Sequence, residues 1–205
     1  MKASVAAAML LPLLAACGGG GGSPSPTPVL YRGPATSYLL GLDQLHVSEF
    51  TVAEKAHTVG EQALSGDDAQ LDTSLRAAGM QDAASVRYFR QVAELATANG
   101  FVDVRSTVMR FGSGGAAHRA FLAEVRHTDA VPNIVPESTD ALGDEAHADQ
   151  LTATAPDGTQ VVEATVVMRN ANLVQIVVVR GRVGGTGVGD AIVLAHTWLG
   201  SMRAG

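Results

Sequence analysis

The sequence has a single cysteine, Cys17. No internal disulfide can form, so a domain built from this chain must be held by packing alone. Lysine is nearly absent as well: Lys2 and Lys55 stand beside 12 arginines. Against 20 acidic residues these give a formal charge of −6, and −7 if Lys2 is removed with residues 1–16. That balance excludes nucleic acid as a partner and excludes adhesion to anionic headgroups through a basic patch. No apolar run is long enough for a permanent span: the N-terminal apolar segment, Ala3 to Leu14, has 12 residues, where a bilayer needs about 20. Missing too are a Gly-x-Ser-x-Gly nucleophile elbow, the paired histidines of a zinc protease helix, and a Lys-Ser/Thr after the glycine cluster Gly181–Gly189 that would make it a phosphate loop. That cluster reads as a flexible connection.

What is present begins with Lys2, the apolar stretch that follows, and then Leu14-Ala15-Ala16-Cys17. The length suits the apolar core of a signal peptide, and the small residues Ala15 and Ala16 leave room for a peptidase. With Cys17 at the first mature position, the four residues resemble the lipobox of bacterial lipoproteins. The resemblance implies cleavage between Ala16 and Cys17, acylation of the Cys17 thiol, and attachment to the membrane by that lipid. Gly18 is not the aspartate that marks inner-membrane retention, so in a host with two membranes the outer one is favoured. Gly18 to Pro28 then passes from flexible glycine to stiffer Ser-Pro repeats, which cannot bury apolar surface. The expected organisation is a signal peptide over 1–16, a lipidated tether over 17–37, and one globular domain over 38–205. At 46% hydrophobic, a domain of this size has material for a substantial core.

Within the domain, Phe50-Thr51-Val52 reads as a short strand. Asp67 or Asp68 can cap a helix over Ala69–Ala78, with Leu71, Leu75 and Ala78 on one face and Gly79 as its left-handed stop. Ser85–Arg90 and Phe101–Phe111 have strand composition, with Arg87, Asp103 and Arg105 marking solvent faces. Residues 91–98 fit either a continued strand or a helical turn. Ala116 to Thr128 reads as an amphipathic helix, with Ala117, Ala120, Phe121, Leu122 and Val125 together and Arg119, Glu124 and Arg126 elsewhere. Val131–Pro136 reads as a proline-marked loop.

From Asp149 the pattern becomes β: strands over 149–155, 160–169 and 173–180 form a meander. Pairing the apolar set Val162, Ala164, Val166 and Met168 with Val174, Ile176 and Val178 requires a three-residue loop, 170–172, with Asn172 in the left-handed conformation. The strand 173–179 is apolar on both faces and is expected to be central. Val188 to Met202 places Val188, Ala191, Ile192, Ala195, Trp198, Leu199 and Met202 at helical spacing.

Three pieces, Arg110–Leu122, Ala141–Ala146 and Val167–Val174, resemble in order and spacing the small extracytoplasmic domains of mycobacterial LpqN-type lipoproteins and the sensor domains of bacterial serine/threonine kinases, related to the PsbP-like sandwich. The resemblance spans roughly residues 39–203. It implies an α+β fold: an antiparallel β-sheet with helices packed on its faces, an α/β/α sandwich. It transfers no catalytic residue, and the paired cysteines of some kinase sensor domains are absent here.

The one constellation with ligand chemistry is Asp140, Asp144, Glu145, His147 and Asp149. Oxygen ligands with one imidazole could hold a divalent cation, although the spacing matches no metal motif and also suits a solvated loop entering a strand. The histidines His46, His57, His118, His127, His147 and His196 are scattered, and His118 and His127, nine apart on one helix, lie on different faces. Two classes of function follow. One is a non-catalytic, lipid-anchored domain of the cell envelope, monomeric and without cofactor, that binds a small ligand or an envelope protein as sensor or adaptor. The other is a metal-dependent or hydrolytic envelope enzyme using Asp144, Glu145 and His147.

Overall fold

The computed structural model describes residues 30–47, 49–139 and 141–204; the lipobox, residues 17–29 of the expected tether, and Asp140 lie outside them. Seven strands, β1 (Phe50–Thr58), β2 (Met80–Arg90), β3 (Asp103–Phe111), β4 (Ile134–Glu137), β5 (Glu145–Thr154), β6 (Gln160–Asn170) and β7 (Leu173–Arg182), form one sheet in the order β1-β2-β3-β7-β6-β5-β4. Every pairing is antiparallel. The fold is the α+β sandwich expected: helices α1 (Glu61–Ser65), α2 (Ala69–Ala78) and α3 (Gly114–Asp129) lie on one side and α4 (Val188–Ala204) on the other.

Each of the longer helices starts where a side chain can satisfy its free amides. Asp68 accepts from the Gln70 and Leu71 amides, and Gly79, at φ 74°, ends α2 in the left-handed conformation that costs a glycine little. Ser113 caps α3 through the Ala116 amide. Asp190 reaches back to the Thr186 hydroxyl and the Gly187 amide at the head of α4. Helix α4 then buries Ala191, Leu194, Ala195, Trp198 and Leu199 against Ala164, Val166, Met168, Leu173, Val177 and Val179 of the sheet. Opposite, Leu71, Leu75, Ala117, Ala120 and Phe121 of α2 and α3 pack on Ala83, Met109, Phe111, Val167 and Val174. Strand β7 sits between β3 and β6 and is covered on both faces, as its two-sided apolar pattern requires.

The chain packs before the expected Tyr38 start. The Tyr31 amide donates to Asn172 Oδ1 at 2.8 Å, and Ala35 and Leu40 are buried in the core. Strand β1 runs well past Val52; all of it but Phe50 is exposed, so an edge strand held by main-chain bonds leaves no burial pattern in its sequence. Strand β2 begins at Met80 rather than Ser85, and 91–98 holds a short 3₁₀ turn at Leu95–Thr97. Within the proline-marked loop lies β4, an edge strand, the position where Pro136 costs no ladder bond. Strand β5 starts at Glu145, so half of the acidic and histidine segment is strand and not loop.

The hairpin register is also corrected. Asn170 pairs with Leu173 across a two-residue loop, and Ala171, at φ 53°, takes the left-handed position expected of Asn172. Met168 therefore faces Gln175, Val166 faces Val177 and Ala164 faces Val179. Since β7 is apolar on both faces, parity alone does not choose between them. The fully buried Gln175 disguises the face that α4 covers. Asn172 is buried instead: its amide donates to the Tyr31 and Phe111 carbonyls.

Candidate functional site

The acidic and histidine segment is tied down residue by residue. Gly143, at φ 61°, passes so close to the Arg169 carbonyl that a Cβ would collide with it, and this close approach delivers Asp144 and Glu145 to the Arg169 guanidinium. Arg169 Nη1 donates to Asp144 Oδ2 at 2.8 Å, and Nε donates to Glu145 Oε2. Asp144 Oδ2 also accepts from the Ala171 amide at 2.8 Å, which pins the β6–β7 turn. His118 on α3 meets Glu145 Oε1 at 2.7 Å. Burial pushes the Glu145 carboxyl up, but hydrogen bonds from Arg169 and His118 outweigh it and leave the group below the usual carboxylate range.

His147 turns elsewhere. Its Nε2 lies 3.2 Å from Asp129 Oδ1, at the end of α3, and 3.7 Å from Asp149 Oδ2. The structure thus splits the expected set: Asp144 and Glu145 converge on Arg169, and His147 on Asp129 and Asp149. Among the described residues no three His, Cys, Asp or Glu side chains are grouped so as to hold a metal ion.

Two acids lie deeper than the sequence pattern places them. Asp149 is 1% exposed, and burial raises its pKa. Glu124, expected away from the apolar face of its helix, is 3% exposed, while Leu122, expected on that face, is exposed. α3 lies against both the sheet and α2, so its buried arc is wider than one apolar stripe. Glu124 Oε1 has no hydrogen-bond partner, and burial, with the negative charge of Asp68, pushes the carboxyl up to about 8. His127, on the same helix, is the partner of Asp68, at 2.7 Å. The hydrogen bonds of the α2 cap at Leu71 and of His127 lower the Asp68 carboxyl.

The same side of the sheet carries a second polar feature. Arg87, Asp103, Arg105, Glu163, Val178 and Arg180 line an open recess of about 210 Å³. These residues come from four adjacent strands, β2, β3, β7 and β6, and the register brings them together: Arg105 stands opposite Arg87 on one side and Val178 on the other, and Arg180 is opposite both Asp103 and Glu163. Arg87 Nε donates to Asp103 Oδ1 at 2.9 Å and Nη1 to Glu54 Oε1 at 3.3 Å; the Asp103 hydrogen bond leads in raising the already high guanidinium pKa. Arg180 is paired with Glu163. Arg105 is exposed and has no ion pair among the described residues. Phe89, opposite Asp103, is 40% exposed at the margin. The sequence pattern marks Arg87, Asp103 and Arg105 as solvent-facing; that Glu163 and Arg180 join them depends on the β3–β7 and β6–β7 registers, which no local pattern carries.

No protein-family model matches the chain, and no curated protein matches it. Among solved structures it is similar to the extracellular domain of PknH from Mycobacterium tuberculosis, with 11% identity, 83% of this chain and 95% of that chain covered, and a TM-score of 0.49. Nothing about a ligand or partner passes between the two at that level.

Proposed function

We propose that the mature chain is a lipid-anchored domain of the cell envelope, outside the cytoplasm, that binds a ligand or a partner and catalyses no reaction. The observation that carries this reading is the open, charged sheet face around Arg105, a recess built from four strands with cationic and anionic groups and no serine, cysteine or histidine among its lining residues. A rigid sheet presenting fixed charges around a concavity is suited to recognition. The alternative enzyme site loses its ligands to other work: Asp144 and Glu145 neutralise Arg169, and a cation could take them only by displacing a guanidinium that also orders the β6–β7 turn. No helix among the described residues is long and apolar enough to cross a membrane. The lipobox-like Leu14–Cys17 and the tether that follows supply the anchor in this reading.

Two experiments test it. Replacing Cys17 by serine in the native host should abolish acyl labelling and release the protein from membranes; a variant that stays labelled and membrane-bound refutes the anchor. Native mass spectrometry of the protein purified from its host should show no stoichiometric zinc or calcium. A tightly bound metal that disappears in an Asp144→Ala, His147→Ala double variant would replace this reading with the enzymatic one.

A further inference from the structure

Three guanidinium groups, Arg87, Arg105 and Arg180, share one recess with two carboxylates, Asp103 and Glu163. Both carboxylates are taken: Asp103 receives two donors of Arg87, and Glu163 pairs with Arg180. Glu54, the other acid in the network, lies on β1 and holds the remaining end of Arg87. Arg105 is left with a cation directly across the β2–β3 ladder and with Val178 across the β3–β7 ladder. Like charges directly opposite on a sheet are destabilising, so this pairing by itself works against stability, and an anion between the two guanidinium groups would relieve it. The chain as a whole is acidic, so Arg105 adds little to any long-range attraction. What it offers is local: a planar, exposed set of donors with no hydrogen bond to any described residue, in the lining of a concavity. A guanidinium fork matches the two oxygens of a carboxylate or phosphate. Across the β3–β7 ladder from Arg105 the half-buried Val178 gives apolar surface within the recess, and the exposed Phe89 stands outside the lining on the β2 side.

From these observations we infer that the recess binds a small oxyanion, a carboxylate or phosphate monoester carrying an apolar group, with Arg105 making the bidentate contact. Arg87 and Arg180 flank the site; paired with Asp103 and Glu54 and with Glu163, they occupy the carboxylates that would otherwise claim Arg105. The apolar group lies toward Val178, which lines the recess next to Arg105. This assignment rests on the reading of the protein as a binding domain and names the chemistry its open face recognises.

The test titrates the mature chain, made soluble by Cys17→Ser, with phenyl phosphate and phenylacetate, and with benzyl alcohol as the uncharged control, following the arginine Nε–H resonances and the affinity by NMR. Both anions should bind saturably, shift the Arg105 resonance, and weaken as salt is raised; benzyl alcohol should not shift it. Arg105→Gln should lower the affinity about tenfold or more, and Arg105→Lys, which keeps the charge and loses the fork, should fall between. The same Arg105→Gln variant should melt at the parent's temperature or slightly above it, because it removes a like-charge pair and no buried contact; that separates loss of binding from loss of fold. Anion binding unchanged in Arg105→Gln, or no shift of Arg105 with either anion, overturns the assignment. If a host-derived ligand is retained by Arg105→Gln, the oxyanion assignment falls and the binding reading stands. If no ligand copurifies and neither anion binds, both fall.

Discussion

Trp198→Ala should lower the unfolding free energy by about 3–5 kcal/mol, the range for deleting a large aromatic ring from a packed core. Trp198 is fully buried and faces the sheet from the middle of α4, among Leu194, Ala195, Leu199 and the strand residues Ala164, Val166 and Val177. Its indole N–H donates to the Tyr38 carbonyl. The ring therefore joins three parts of the chain, the N-terminal segment, the sheet and the last helix. Alanine leaves a cavity and an unpaired carbonyl, and both costs add. Urea unfolding followed by far-UV circular dichroism measures the loss. Trp198→Phe separates the terms, since it keeps most of the volume and removes only the donor; it should cost less than half as much. Because Trp198 is the only tryptophan in the chain, the parent's fluorescence reports this site alone and should resist aqueous quenchers. A melt unchanged in Trp198→Ala, or a tryptophan open to quencher, would mean that α4 does not belong to the core.

The inward face of α4 is legible in Val188–Met202 alone, because apolar residues recur there at every third or fourth position. Helix α2 is equally plain: Asp68 and Gly79 bracket it, and their roles depend only on the backbone beside them. Strands β5 to β7 show in composition and turn residues. What the sequence hides depends on partners distant along the chain. β1 and β4 are edge strands with one neighbour each, so burial writes no alternation into them. The β6–β7 register hangs on which face of a two-sided apolar strand meets α4, and the buried Gln175 makes the covered face look like the polar one. The site divides in the same way. Asp144, Glu145 and His147 stand out for their ligand chemistry, yet Arg169 and Asp129, which claim them, come from β6 and α3. Arg105 is visible as a solvent-facing residue, but its lack of a counter-charge is a property of the assembled sheet.

Glu124→Gln should flatten the pH dependence of stability, with a difference on the order of 4–5 kcal/mol between parent and variant opening as pH rises from about 4.5 to above 8. The cause is the burial of Glu124 beneath α3, which, reinforced by the charge of Asp68, raises its carboxyl to about 8 from an ordinary value of 4.5. Between those two pH values the folded protein holds a proton that the unfolded chain has released. Folding takes up a proton across that window, so raising the pH favours the unfolded state. The parent is thus most stable, as far as this group is concerned, on the acid side, loses stability through the neutral range, and reaches its full penalty once Glu124 must ionise in the folded state. Glutamine cannot ionise and loses nothing. The amide is no better hydrogen-bonded than the acid at Oε1, which has no partner, so the absolute stability at low pH is a poor readout and the slope is the right one. Urea unfolding at pH 5, 7 and 9 gives it: the two proteins should lie close at pH 5 and diverge at pH 9, with the variant the more stable. The raised carboxyl of Asp149 works in the same direction, so part of the slope should survive in Glu124→Gln and shrink further when Asp149→Asn is added. Parallel curves for parent and Glu124→Gln would mean that Glu124 is hydrated in solution and that the buried side of α3 around it is open to water.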